Sequence, residues 1–160
     1  ERDCLIAYGA SMILKVADNQ DKASIKRFYK RNNYSASYMG HDTCYIVESG
    51  LNKPNKKNEK SELLAAVIVS AIKEDSRQFL LHALVIDESF RRQKLASDIL
   101  ASELFRSTNQ QDLVCFAESN LEPFYIGLGF KVIQENGLES HLQQRYQSYK
   151  KKRPSLRATE

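Results

Sequence analysis

The sequence predicts an α+β fold, with strands and helices following one another in the order β-α-β-β-β-α-β-α-β-α. Three observations carry that prediction. Residues Leu63–Ile72 are almost all apolar, which suits a central strand buried on both faces. The stretch Leu80–Ala101, LLHALVIDESFRRQKLASDILA, runs from an apolar strand through a tight basic turn into an amphipathic helix. The chain has 160 residues, 42% of them apolar and 28% charged, which is one domain by length and enough to bury a core.

The elements follow in order. Ser11–Val16 reads as a short strand, and Asp18 or Asn19 is placed to cap the next helix. In that helix Ile25, Phe28 and Tyr29 share an apolar face. Asn32–Asp42 is a polar and aromatic loop with room for one helical turn, and Thr43–Glu48 is a strand. Ser49–Ser61, rich in Gly, Pro, Asn and Lys, reads as a long solvated hairpin loop. After the apolar strand at Leu63–Ile72 comes a strand at Gln78–Ile86. A single helix is then expected over Lys94–Phe105, with Leu95, Ile99, Leu100 and Leu104 facing inward. Asp112–Ala117 is a fifth strand. Asn120 is placed to cap a short helix with Pro123 in its first turn, and Gly127 and Gly129 end it. Phe130–Gln134 reads as a sixth strand. From Leu138 the chain is helical again, with Leu142, Tyr146 and Tyr149 on one face, and residues 153–160 read as a frayed tail. The expectation is one domain over residues 1–160, with its core at 12–135 and a helical extension at 138–152.

Composition excludes several function classes. Cys4, Cys44 and Cys115 are odd in number, widely spaced and without a CxxC pair. They support neither a disulfide framework nor a zinc site, and they fit a reducing cytoplasm, where the protein is expected. No run of about 18 apolar residues exists and no signal peptide is visible, so no membrane association is expected. The chain begins at Glu1 rather than Met, which points to a missing or trimmed N-terminal piece. The net charge of +4 suits an anionic ligand without demanding nucleic acid. Lys53, Lys56, Lys57 and Lys60 read as a solvated loop. Lys150–Arg153 forms a basic arm whose only stacking partners are Tyr146 and Tyr149, so RNA association is a minor reading.

Two blocks carry chemistry. The turn Arg91-Arg92-Gln93-Lys94-Leu95-Ala96 opens a helix whose first amide N–H groups lack intrahelical partners, at the positive end of the backbone dipole. It resembles the pyrophosphate-binding Q/R-x-x-G-x-G/A turn of the GNAT superfamily of acyl-CoA N-acyltransferases. The segment Pro123–Phe130, PFYIGLGF, resembles that family's FYxxLGF unit. The two occur in order, separated by a strand, and the resemblance covers about residues 12–135.

That resemblance implies a GNAT-like mixed sheet of six or seven strands flanked by helices, with the parallel strands Gln78–Ile86 and Asp112–Ala117 splayed apart. It implies acetyl-CoA as co-substrate, no metal, and acetyl transfer to a primary amine by direct attack in a ternary complex. Main-chain groups of Val85 and Ile86 are expected to pair with the pantetheine arm. The pyrophosphate is expected on amides from Arg91 through Arg92, Gln93, Lys94, Leu95 and Ala96 to Ser97, with Asn120 and Phe124 also near the coenzyme. Lys94 stands where the family usually has Gly, a residue that lets backbone approach phosphate without a Cβ.

Amide formation needs a neutral amine and a proton for the departing thiolate. Tyr125 falls where the family often places a phenol near the sulfur and is the expected general acid, unless it serves only as core packing. His82 is a candidate base, expected by alternation on one face with Leu80, Leu84 and Ile86; a hydrogen-bonded core histidine is the alternative. Glu118 is the other candidate base, and many relatives use no dedicated one. Tyr34, Tyr38, Met39 and His41 are expected either to line the acceptor site or to pack on the sheet edge. The acceptor would be a small amine or a peptide or protein amine, and the protein a monomer or homodimer. A coenzyme A-binding module without catalysis is the competing reading.

Overall fold

Among the described residues, seven strands form one mixed sheet whose spatial order is the chain order. They are β1 (Arg2–Ala7), β2 (Ala10–Val16), β3 (His41–Ser49), β4 (Leu63–Ala71), β5 (Gln78–Ile86), β6 (Asp112–Glu118) and β7 (Leu156–Thr159). The helices are α1 (Lys22–Arg31), α2 (Leu95–Ala101), α3 (Glu103–Thr108), α4 (Glu122–Gly127) and α5 (Ser140–Lys152). This is a computed structural model, which describes residues 2–7, 10–36, 41–49, 62–91 and 94–160, with residues 2–7, 10 and 11 by backbone alone. β1 pairs antiparallel with β2 and β2 with β3, whereas β5 and β6 are parallel and β6 and β7 antiparallel.

β4 is buried along its whole length, as an unbroken apolar run requires. α1 is entered through a 3-10 turn at Asn19–Asp21, where Asp18 accepts from the Gln20 N–H at 2.8 Å while the Asp21 carboxylate accepts from the Asp18 N–H at 2.9 Å. These reciprocal bonds satisfy two of the N–H groups a helix start leaves open. Lys15 holds Asp21 and Glu48 at 3.2 and 3.0 Å. Burial alone would lower the Lys15 pKa, but these two carboxylates hold it above its ordinary value.

The chain divides into two compact units, and β3, β4 and β5 each pass through both. The first contains residues 1–37, 43–68 and 83–108. Its core packs Ile25, Phe28 and Tyr29 of α1 on Ile46, Ile68, Ala83 and Val85. The Tyr29 hydroxyl donates to the Ala83 carbonyl at 2.8 Å. Tyr29→Phe is therefore expected to cost about 1 kcal/mol, read from urea unfolding midpoints. No shift in midpoint would mean that the bond contributes nothing. The second unit contains residues 38–42, 69–82 and 109–160. There Leu80 and Val114 pack on Leu142 and Tyr146 of α5 and on Leu156 and Ala158 of β7.

The structure corrects four expectations. The helix expected over Lys94–Phe105 is two helices, because Ser102 is extended (φ −65°, ψ 152°). Its hydroxyl donates to the Ile99 carbonyl at 2.6 Å and accepts from the Phe105 N–H at 3.3 Å, ending α2 and starting α3. The strand expected at Phe130–Gln134 is a single bridge, Val132 to Thr159. The tail expected to fray is β7, paired with β6 from Cys115↔Thr159 to Glu118↔Leu156. Asn120 does not cap α4, which is entered through a 3-10 turn at Ser119–Leu121. Among the described residues no helix is long and apolar enough to cross a membrane.

Candidate active site

The turn after β5 is held from both sides. Arg31 at the end of α1 donates to the Leu63 carbonyl at 3.0 Å and to the Asp87 carboxylate at 3.1 Å. The Asp87 N–H donates to the Leu64 carbonyl at 2.8 Å, so the exit of β5 is tied to the start of β4. Arg91 is exposed and its Nε donates back to the Ile86 carbonyl at 3.1 Å. Arg92 and Gln93 lie outside the described residues.

Lys94 resolves its own departure from the family pattern. It is left-handed (φ 57°, ψ 18°), the conformation that glycine adopts without steric cost. The lysine keeps the backbone shape that the usual glycine makes easy. The first bond of α2 runs from the Asp98 N–H to the Lys94 carbonyl at 3.0 Å. The amides of Leu95, Ala96 and Ser97 precede it and have no acceptor within the helix. The Leu95 side chain is buried, so its contribution to any ligand is by main chain. Lys94→Gly should raise stability by up to about 1 kcal/mol by removing the Cβ conflict. A lower thermal midpoint for the variant would contradict this.

The β5–β6 ladder consists of Gln78↔Asp112, Phe79↔Leu113 and Leu80↔Val114, although both strands run on, to Ile86 and Glu118. Beyond that ladder Ala83 has φ 55°, an uncommon value for a non-glycine residue in a strand. It interrupts the alternation on which the face of His82 was expected. His82 Nε2 lies 2.6 Å from the Ser70 hydroxyl. Ser70 shares its face of β4 with Ile68, which packs with Ala83 and Val85. His82 therefore sits on the side of Ala83 and Val85, not with Leu84 and Ile86.

Ser70 also donates to Asp42 Oδ1, so Asp42, Ser70 and His82 form one hydrogen-bonded row across β3, β4 and β5. Burial pushes the His82 imidazole down to about 4 from its usual 6.5; Asp42 opposes the shift and Arg145 adds to it. Neither Asp42 nor Ser70 was expected from the sequence. The signal was Ser70 itself, the one hydroxyl in the apolar strand LLAAVIVSA, since a buried polar group implies a partner.

Tyr125 is 6% exposed, its ring edge-on to Phe124 and Phe130 at 5.0 and 5.5 Å. Gly129, at φ 96°, turns the chain so that Phe130 returns to this ring and its N–H donates to the Tyr125 carbonyl at 3.0 Å. The side chain of Tyr125 hydrogen-bonds Cys115 on β6. Burial pushes the Cys115 thiol up to about 11 despite that bond. A thiol so protonated at neutral pH is a poor nucleophile.

Glu118 is engaged by Ser155 and, at 3.8 Å, by Arg153. Asn120 is exposed and Phe124 half-buried. Of the expected acceptor residues, Tyr34 lies 5.6 Å from the Tyr29 ring, His41 is the exposed first residue of β3, and Tyr38 and Met39 lie outside the described residues.

Comparison with known proteins agrees with this architecture. The model of the acetyltransferase (GNAT) domain matches residues 43–152. No curated protein matches the sequence. A GNAT family acetyltransferase from Listeria monocytogenes 4b F2365 shares the fold at TM-score 0.58 and 12% identity, over 98% of each chain. One from Staphylococcus aureus MU50 does so at TM-score 0.56 and 12% identity, over 81% of this chain and 90% of that one. The N-acetylglutamate synthase from Neisseria gonorrhoeae, solved with coenzyme A and N-acetyl-glutamate, aligns at TM-score 0.59 and 11% identity. That match covers 92% of this chain and 34% of the synthase. At these identities the solved structures speak for the fold, whereas the domain match spans more than half of the sequence and includes both the basic turn and the PFYIGLGF segment. This chain belongs to the GNAT acetyltransferase family.

Proposed function

We propose that the protein transfers an acetyl group from acetyl-CoA to a primary amine by direct attack. Family membership supports the reaction class, and the observation that carries the reading is the left-handed Lys94 ahead of the open amides of α2. Acetyl-CoA supplies an acyl group activated as a thioester. The amides of Leu95, Ala96 and Ser97 hold its diphosphate, with charge from Arg91, and the main chain of Val85 and Ile86 aligns its arm. His82, neutral at pH 7, takes the proton of the attacking amine; Tyr125 gives its hydroxyl proton to the departing sulfur. The high pKa of the Cys115 thiol argues against an acyl intermediate on that cysteine.

Thiol release from acetyl-CoA, followed against a panel of primary amines, tests the reading. Amine-dependent release supports it. Binding of acetyl-CoA without release favours the other reading, a coenzyme A-binding module, to which the engagement of Tyr125 with Cys115 lends support.

A further inference from the structure

Ser70 is 0% exposed and carries one hydroxyl hydrogen. That hydrogen goes to Asp42 Oδ1, because an ionised carboxylate only accepts. His82 Nε2, 2.6 Å from the same Ser70 oxygen, must then be the donor in that contact. The order is His82 Nε2–H to Ser70 O–H to Asp42, and it leaves Nδ1 as the ring nitrogen with a lone pair. We propose that Ser70 and Asp42 are positioning residues for acyl transfer: they hold His82 in the Nε2–H tautomer, so that Nδ1 receives the amine proton, and they place a carboxylate behind the imidazolium that forms. This rests on the assignment of His82 as base under Proposed function.

The arrangement differs from a nucleophilic serine triad. There the imidazole lies between serine and carboxylate and draws the serine proton. Here the serine lies between the other two, donates its hydrogen bond to the carboxylate and is sealed from solvent. Ser70 is therefore not an acyl acceptor.

The step balances. The amine nitrogen forms the C–N bond, and the C–S bond breaks with its electron pair leaving on sulfur. One N–H bond of the amine breaks toward His82 Nδ1. Sulfur takes the Tyr125 proton, and the imidazolium returns its proton to the phenolate through water. The groups facing His82 are Asp42 from β3, Ser70 from β4 and Arg145 from α5. Asp42 favours the imidazolium, whereas burial and Arg145 oppose it. An imidazolium so disfavoured depends on its link to Asp42.

The test joins a nitrogen-15 NMR titration of the histidine rings with turnover of acetyl-CoA against the amine panel. It compares the wild type with Ser70→Ala and Asp42→Asn, each checked for a native thermal midpoint. The expected result is an Nε2–H tautomer in the wild type and mixed tautomers in Ser70→Ala. Asp42→Asn should move the His82 titration to lower pH. Turnover should fall about 10-fold in both variants, a part of what a general base supplies, with the KM for acetyl-CoA unchanged. A wild-type ring protonated at Nδ1, or a tautomer ratio and turnover that Ser70→Ala leaves unaltered, overturns the inference. A wild type that releases no thiol with any amine overturns the acyltransferase reading instead, and the NMR signal tells the two failures apart.

Discussion

Tyr125→Phe is expected to lower turnover about 100-fold while acetyl-CoA binds as tightly as before. The phenylalanine keeps the ring that packs on Phe124 and Phe130, so the aromatic cluster survives. Only the hydroxyl is lost, and with it the bond to Cys115 and the proton for the leaving sulfur. The lost hydrogen bond should cost the fold only about 1 kcal/mol. Thiol release under saturating substrate, beside calorimetric titration of acetyl-CoA, separates the two effects. Unchanged turnover would leave Tyr125 a packing residue and remove the proposed acid.

Acid should weaken the fold through His82. Its pKa is depressed in the folded protein, from 6.5 to about 4, because burial disfavours the imidazolium. Above pH 6.5 neither state holds that proton, and the stabilisation is complete. As the pH falls from 6.5 toward 4 the unfolded chain gains a proton that the folded protein refuses, so stability drops. Below about 4 both states are protonated and the loss is finished. The full loss is about 3 kcal/mol, at about 1.4 kcal/mol per pKa unit. Urea melts of the wild type and of His82→Gln across that pH range provide the measurement. The wild-type curve should fall more steeply, and parallel curves would show that His82 titrates normally.

Legibility in the sequence followed how local each feature's physics is. β5 lies where the apolar run ends in turn residues, and β4 is one residue shorter than expected. α1 was readable because Ile25, Phe28 and Tyr29 repeat at helical spacing, and Asp18 caps the 3-10 turn that leads into it. The break at Ser102 was not, because a serine competes for backbone bonds only once the chain is in place. β7 is a four-residue strand whose existence depends on β6, with which it pairs from Cys115↔Thr159 to Glu118↔Leu156. The basic arm it follows also lost its stacking partners, since Tyr146 and Tyr149 pack inward on Phe116.

The site shows the same division. The basic turn and the aromatic segment are contiguous motifs and were visible at once. Lys94 looked like a defect because a residue letter does not report φ. Asp42 and Ser70 were invisible beside His82 because only strand register brings 42, 70 and 82 into line.

A structure of the protein with acetyl-CoA bound tests the central claim most directly. Diphosphate oxygens are expected on the N–H groups of Leu95, Ala96 and Ser97, with the thioester sulfur within reach of the Tyr125 hydroxyl. Acetyl-CoA bound elsewhere, with those amides facing only water, would contradict it.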